Sequence, residues 1–271
     1  MAKQQRIVLH LRYGLAERAT IRAAAELAHM LGLALHGVFL QDEALTELTA
    51  LPFVREFRLA TGAWHVLDAR RIAVEQREAV NEARRLLDEA SAAFGVSFLF
   101  ATSDEQVTQT SREGDIIVVA QPRLPTDQLA HATAGWLEAA HNCGASVMLV
   151  PQSVARREGP IAVVVCQDSD AALTLAAHLA VSAAEGLLVL AWGPPEMARR
   201  AVEQARAAGL PAARIMLRQL PGVLPEQVAE ALDASNERLV VLARGACGAD
   251  DAAVSSLLAS SRGVPVLVVE R

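Results

Sequence analysis

Ile161-Ala162-Val163-Val164-Val165-Cys166, followed at 176–180 by Ala-Ala-His-Leu-Ala, restates Arg6-Ile7-Val8-Leu9-His10-Leu11 and the Ala-Ala-Glu-Leu-Ala of 24–28. Residues 7–40 match 161–192, and residues 96–150 match 213–269 in the same order. A self-repeat of this length makes the chain two copies of one unit. In each copy short Val, Ile and Leu runs alternate with longer helical patterns, the signature of βαβ units and a parallel sheet. The expected strands are 6–12, 34–40, 96–102, 115–120 and 146–150, then 161–166, 186–192, 213–219, 238–243 and 265–269. Their near-continuous apolar character predicts helices on both faces, as in a doubly wound sheet.

Helical periodicity is clearest in 70–94, where Val74, Val80, Ala83, Leu87, Ala90 and Phe94 recur at three- and four-residue steps before Gly95. The counterpart, 195–208, follows Pro194, puts Met197, Ala201, Ala205 and Ala208 on one stripe, and ends near Gly209. Both stripes are expected to be core.

The two copies differ in length. Their offset is 152 residues through the first helix but 118 at the third strand, Ser97-Phe98-Leu99 against Ile215-Met216-Leu217, so the first copy carries about 34 extra residues near 41–73. A segment that long between elements is commonly functional. Its apolar residues Leu45, Leu48, Leu51, Phe53, Phe57 and Leu59 suit either a cover over a sheet edge or a lid and docking surface. Polar residues at 153–160, closing on Pro160, read as a linker. The domain reading is therefore 1–152, a linker at 153–160, and 161–271.

With 271 residues, 52% hydrophobic, and a mean hydropathy of +0.26, each copy is long enough to bury a core of its own. No segment reaches the roughly 18 apolar residues of a membrane span, and Met1-Ala2-Lys3-Gln4-Gln5-Arg6 runs straight into a strand, so a soluble, cytoplasmic protein is expected. A net charge of −6 argues against nucleic acid as the partner. Cys143, Cys166 and Cys247 are too scattered for a disulfide framework or a zinc knuckle. Lys3 is the only lysine, which removes P-loop and Schiff-base chemistry. The seven histidines form no His-x-x-x-His pattern, and the serines form no Gly-x-Ser-x-Gly elbow, so neither a metal nor a catalytic residue is assigned.

Five strands with intervening helices, a fourth strand ending in a small-residue turn, and a last helix feeding a final strand resemble a universal stress protein domain, here as a tandem pair. The resemblance rests on Arg238-Leu239-Val240-Val241-Leu242-Ala243-Arg244-Gly245-Ala246-Cys247-Gly248 and 264–269, and on the equivalents Asp115-Ile116-Ile117-Val118-Val119-Ala120-Gln121 and 145–151. It implies two five-stranded parallel sheets of order 3-2-1-4-5, with the fifth strands packed together as an intramolecular pseudo-dimer. It also implies a ligand site at the carboxyl ends of strands one and four, where the strand order reverses.

Nucleotide-binding members of that family carry an aspartate after strand one and, after strand four, Gly-x-x-Gly with a later Gly-Ser or Gly-Thr, whose backbone amides approach phosphate. Mapped on that pattern, the first copy has Arg12, then Ala120-Gln121-Pro122-Arg123, then Thr133-Ala134 in place of the required residues. The second keeps Gly245 and Gly248 but has Cys166 at the aspartate position, with Asp168 and Ser169 just beyond, and Ala252-Ala253 at the Gly-Ser position. The candidate nucleotide contacts are Cys166, Asp168, Ser169, Leu190, Ala243, Gly245, Gly248 and Ala253. A plainer reading gives the glycines a tight turn and Asp168 or Ser169 a helix cap. Arg12, Arg123 and Arg244, all expected at the carboxyl ends of strands, are candidate anion contacts. Cys247, near a helix N-terminus, is a candidate redox thiol against the alternative of a small turn residue.

The leading expectation is a non-enzymatic regulatory or interaction module of the stress response. It would need no cofactor, have degenerate nucleotide sites, and meet an unidentified protein or small ligand, with further homodimerisation left open. The alternative is an adenine-nucleotide binder, of ATP or AMP and with slow ATPase activity, using the second copy.

Overall fold

The structure, a computed structural model, describes residues 6–12, 18–40, 47–49, 51, 53–59, 61–103, 112–121, 139–167, 171–248 and 250–270. The first half contributes β1 (Ile7–Arg12), α1 (Arg18–Leu31), β2 (Leu35–Leu40), a hairpin of β3 (Arg55–Arg58) and β4 (Ala63–Val66), α2 (Ala69–Phe94), β5 (Phe98–Ser103), β6 (Ile116–Ala120) and β7 (Ser146–Val150). The second contributes β8 (Ile161–Val165), α3 (Ala171–Ser182), β9 (Leu187–Ala191), α4 (Pro195–Ala207), β10 (Ile215–Gln219), α5 (Pro225–Leu232), β11 (Leu239–Ala243), α6 (Asp251–Arg262) and β12 (Val266–Val269). Ten strands form one sheet in the order β10-β9-β8-β11-β12-β7-β6-β1-β2-β5. All neighbours are parallel except β12 and β7, which pair antiparallel with Leu267 opposite Met148.

The α/β class and the mostly parallel sheet are as expected, and the ten expected strands fall within two residues of the observed ones. Two features differ. The halves share one continuous sheet rather than owning separate ones. Their cores are continuous too: one apolar cluster runs from Ile7, Leu9 and Leu27 to Val163, Leu173 and Val189, and a second from Ile117 and Leu149 to Val164, Val240 and Leu258. Each cluster covers one face of the sheet and crosses the seam, because antiparallel β7–β12 pairing leaves no edge there to separate two cores.

Central strands such as β7, β8 and β11 are buried along their whole length, since helices cover both faces. At the two outer edges burial alternates, and Leu99 of β5 and Met216 and Leu217 of β10 stand half-exposed or more. Helix α2 is stopped as its sequence dictates. Asp68 accepts from the Arg70 and Arg71 amides, and Gly95 takes the left-handed conformation (φ 66°) that ends it. Ala83 and Leu87 are buried as expected, but Val74 is half-exposed and Ile72 turns inward instead.

The extra residues of the first half form a hairpin that the sequence pattern did not reveal, with Phe57 opposite Trp64 and their ring centroids 5.3 Å apart. Arg71 of α2 ties it down through Glu56. Of the two roles open to this segment, the cover over a sheet edge does not hold for its described apolar residues. Leu48, Leu51 and Phe57 are more than 40% exposed, Phe53 75% and Leu59 90%, so these side chains face solvent; Leu45 lies outside the described residues.

The linker is held rather than free. The Ala155 amide donates to the Gly263 carbonyl (2.7 Å) and the Gly159 amide to both oxygens of Glu185 (3.1 Å). Arg156 reaches the fully buried Glu237, which also binds Arg262 and the Ser235 hydroxyl. The first half has a parallel arrangement, with buried Asp115 before β6 paired to Arg6 at 2.9 Å. Among the described residues no helix is long and apolar enough to cross a membrane.

Candidate functional site

In an open parallel sheet the crevice for a ligand lies at the carboxyl ends of strands where their order reverses, which here means β1 with β6 and β8 with β11. In the first half Arg123, and the side chain of Arg12, lie outside the described residues. Gln121 follows β6, and its amide group spans to the other half, donating to the Ser260 hydroxyl of α6 (2.6 Å) and to the Ser256 carbonyl (3.3 Å).

In the second half β8 ends beside β11, and Cys166 follows it with its thiol 3.7 Å from the Ala246 carbonyl. The chain leaves β11 at Ala243 and turns through Arg244–Gly248, with positive φ at Gly245 (71°) and Gly248 (124°). Cys166, Ala243, Gly245, Gly248 and Ala253 are thus gathered around one turn and the first turn of α6. Leu190 is not at the crevice; it lies in β9 opposite Val164, its side chain fully buried in the core. Asp168 and Ser169 lie outside the described residues.

Two of the donors here are already engaged. Asp251 accepts from the Gly245 amide at 2.9 Å, and Asp250, the cap of α6, accepts from the Ala253 amide at 2.9 Å. These are the backbone amides that a phosphate would need, and a helix N-terminus that attracts anions is here supplied with carboxylates of its own chain. Neither aspartate was singled out in the sequence. Their signal is local: Asp250-Asp251 directly before Ala252-Ala253-Val254 is a helix-start pattern, and the cap competes with phosphate for the same amides.

Arg244 is spent on the protein. Its guanidinium meets Glu270, the His141 carbonyl and, at 2.6 Å, the Ala145 carbonyl, so it clips the turn to the first half. The expected anion contact is therefore an interdomain staple. Beside it His141 is buried, with neither ring nitrogen hydrogen-bonded among the described residues. Burial, with help from the Arg244 charge and against the pull of Asp250, lowers its pKa to about 4, so the ring is neutral. Cys247 is also buried, and burial, followed by the neighbouring Cys166 and Asp251, pushes its thiol up to about 12. A thiol so rarely ionised is a packing residue, not a redox nucleophile. Among the described residues no cluster of His, Cys, Asp and Glu could hold a metal ion.

No protein-family model and no curated protein matches the sequence. Solved structures do match. A universal stress protein from Archaeoglobus fulgidus DSM 4304 superposes with a TM-score of 0.63 at 13% identity, over 100% of this chain and 98% of that one. The fold is that of a universal stress protein. A putative universal stress protein from Pseudomonas aeruginosa UCBPP-PA14 is similar over 98% of this chain and 93% of its own, with a TM-score of 0.52 at 15% identity. The cytoplasmic domain of a prokaryotic cation chloride cotransporter shares the universal-stress fold as well, with a TM-score of 0.56 at 11% identity over 98% and 96% of the two chains. One fold thus serves a stress protein and a transporter domain, and what this chain does has to be argued from its own site.

Proposed function

We propose that the chain is a tandem universal-stress-type regulatory module, non-enzymatic and cytoplasmic, whose nucleotide site in the second half is degenerate. The observation that carries this reading is the occupation of the Gly245 and Ala253 amides by Asp251 and Asp250. An incoming phosphate would have to displace two carboxylates and would meet their charge. Binding of a protein partner is supported by the exposed hairpin and the residues before it, where Phe53, Leu59 and Trp64 present apolar surface that a lone soluble domain seldom leaves open.

The halves act as a pseudo-dimer in this proposal. Equivalent residues of the two copies, Met148 and Leu267, face each other across the seam, as a two-fold axis requires. The Gln121 and Arg244 amides, also equivalent, donate to the Val150 and Val269 carbonyls at 2.8 Å. Mass analysis of small molecules released from freshly purified, denatured protein tests the reading. Near-stoichiometric ATP, ADP or AMP would overturn it.

A second reading, adenine-nucleotide binding through the same turn, draws on the retained glycines, since positive φ at both is the backbone geometry of a turn that lets a phosphate approach closely. A thermal-shift titration separates the two, because ligand at 100 times its Kd adds about 2.7 kcal/mol to stability. No shift in millimolar ATP and magnesium would remove this alternative.

A further inference from the structure

Where α1, the linker and the start of β11 meet, they enclose a cleft of about 240 Å³. Met148 in β7 and Leu239 and Pro265, at the starts of β11 and β12, place it over the antiparallel seam, and Leu27 and Met30 supply the side of α1. It therefore lies at the opposite end of β11 from the glycine turn. Apolar side chains make up much of its lining, yet four arginines line it as well, Arg22, Arg156, Arg157 and Arg238, against a single carboxylate, Glu26.

Those charges divide into two kinds. Arg238 binds Glu26 and Glu185, and Arg156 binds buried Glu237, so both are neutralised in place and hold the halves together. Arg22 and Arg157 are exposed and have no carboxylate partner among the described residues. Arg22 lies between two cavities: its guanidinium stands 5.5 Å from the ring centroid of Phe94, which with Glu89 lines the neighbouring one, and it also borders this cleft. The cleft thus joins an apolar lining to two guanidinium groups that have no carboxylate partner among the described residues, and their planar forks match carboxylate and phosphate oxygens.

The geometry points to a binding site for a compact amphipathic anion, an organic carboxylate or phosphate monoester whose head is held by Arg22 and Arg157 and whose apolar body lies against Leu27, Met30, Met148 and Leu239. Compactness follows from the volume, which is below the roughly 300–1,000 Å³ of sites for drug-sized ligands. Such a ligand touches α1 of the first half and the linker and β11 of the second, so its binding stiffens the seam. The inference stands apart from the nucleotide reading, because no residue of the glycine turn lines the cleft.

The full chain is titrated calorimetrically with 4-phenylbutyrate, phenyl phosphate, the neutral 4-phenylbutanol and inorganic phosphate. Saturable binding of either aromatic anion, with neither the alcohol nor inorganic phosphate binding, is expected, and the better of the two anions identifies the head group. Arg22→Ala and Arg157→Ala should each weaken binding about tenfold, the loss of one charge-assisted contact. Ala23→Phe, which fills the cleft, should abolish it; should that variant misfold, the two surface arginine variants still decide. Equal binding of the alcohol, unchanged affinity in both arginine variants, retained affinity in a folded Ala23→Phe protein, or no binding of either anion at millimolar concentration would overturn the proposal.

Discussion

Replacing Asp250 and Asp251 together by serine should convert the closed turn after β11 into an anion acceptor. In the native chain each carboxylate holds one amide at 2.9 Å, so a phosphate oxygen seeking the same amides would come within about 4 Å of both charges. Each such pair costs about 1 kcal/mol in water and about 4 kcal/mol at the effective dielectric of a protein surface. Asp250 is exposed and Asp251 half-buried, which favours the lower end, about 1–2 kcal/mol per carboxylate. Removing both should strengthen binding by about 2–4 kcal/mol, roughly 30- to 1,000-fold. Serine keeps the cap of α6 and so spares the helix about 1 kcal/mol that alanine would lose. Calorimetric titration with ATP and magnesium reads the outcome: no saturable binding by the native chain and measurable affinity in the double variant. Tight ATP binding by the native chain, or a folded variant that binds no better, would refute the argument that the carboxylates close the site.

Glu237→Gln leaves Arg156 and Arg262 facing a neutral group in a fully buried position and should cost about 3–5 kcal/mol, whereas Glu82→Gln in the exposed pair with Arg85 should cost under about 1 kcal/mol; urea unfolding of both variants checks the contrast. His141 supplies a pH dependence. Its folded pKa lies below the ordinary 6.5, so the unfolded chain takes up the proton first, and stability that is intact above pH 6.5 is lost as pH falls toward about 4. The urea midpoint of the native chain should fall over that interval by more than that of His141→Gln, and parallel curves would contradict the assignment. Gly159→Ala puts a Cβ 2.0 Å from the Asn236 carbonyl oxygen at a φ of 124°, while Gly248→Ala has the same φ and open space. The first should therefore be the more destabilising in thermal melts, by about 1 kcal/mol or more.

Much of the scaffold was legible in the sequence because its signals are local. Apolar runs such as Ile161–Val165 and Leu239–Ala243 are strands wherever both faces are covered, and Gly95 ends a helix whatever surrounds it. The hairpin at 55–66 escaped because its strands are four residues long and its apolar side chains point to solvent, against the usual link between apolarity and burial. At the candidate site the glycines were visible, but their engagement was not. Whether Gly245 offers its amide to a ligand depends on where the Asp251 carboxylate lies once α6 has started. The engagement of Arg244 was hidden for the same reason, since its partners, His141, Ala145 and Glu270, are distant in sequence.

By itself, then, the sequence determined the duplicated α/β unit, the near-exact strand positions and the unequal lengths of the copies, because periodicity, glycine stops and self-similarity act over a few residues. Only the tertiary structure decided that the two copies share one sheet and two continuous cores, that Asp250 and Asp251 occupy amides at the glycine turn, and that Arg22 and Arg157 border an apolar cleft at the seam. Each of these brings together groups far apart in the chain, and the position of a partner across β7 and β12 is set by the packing of the whole sheet.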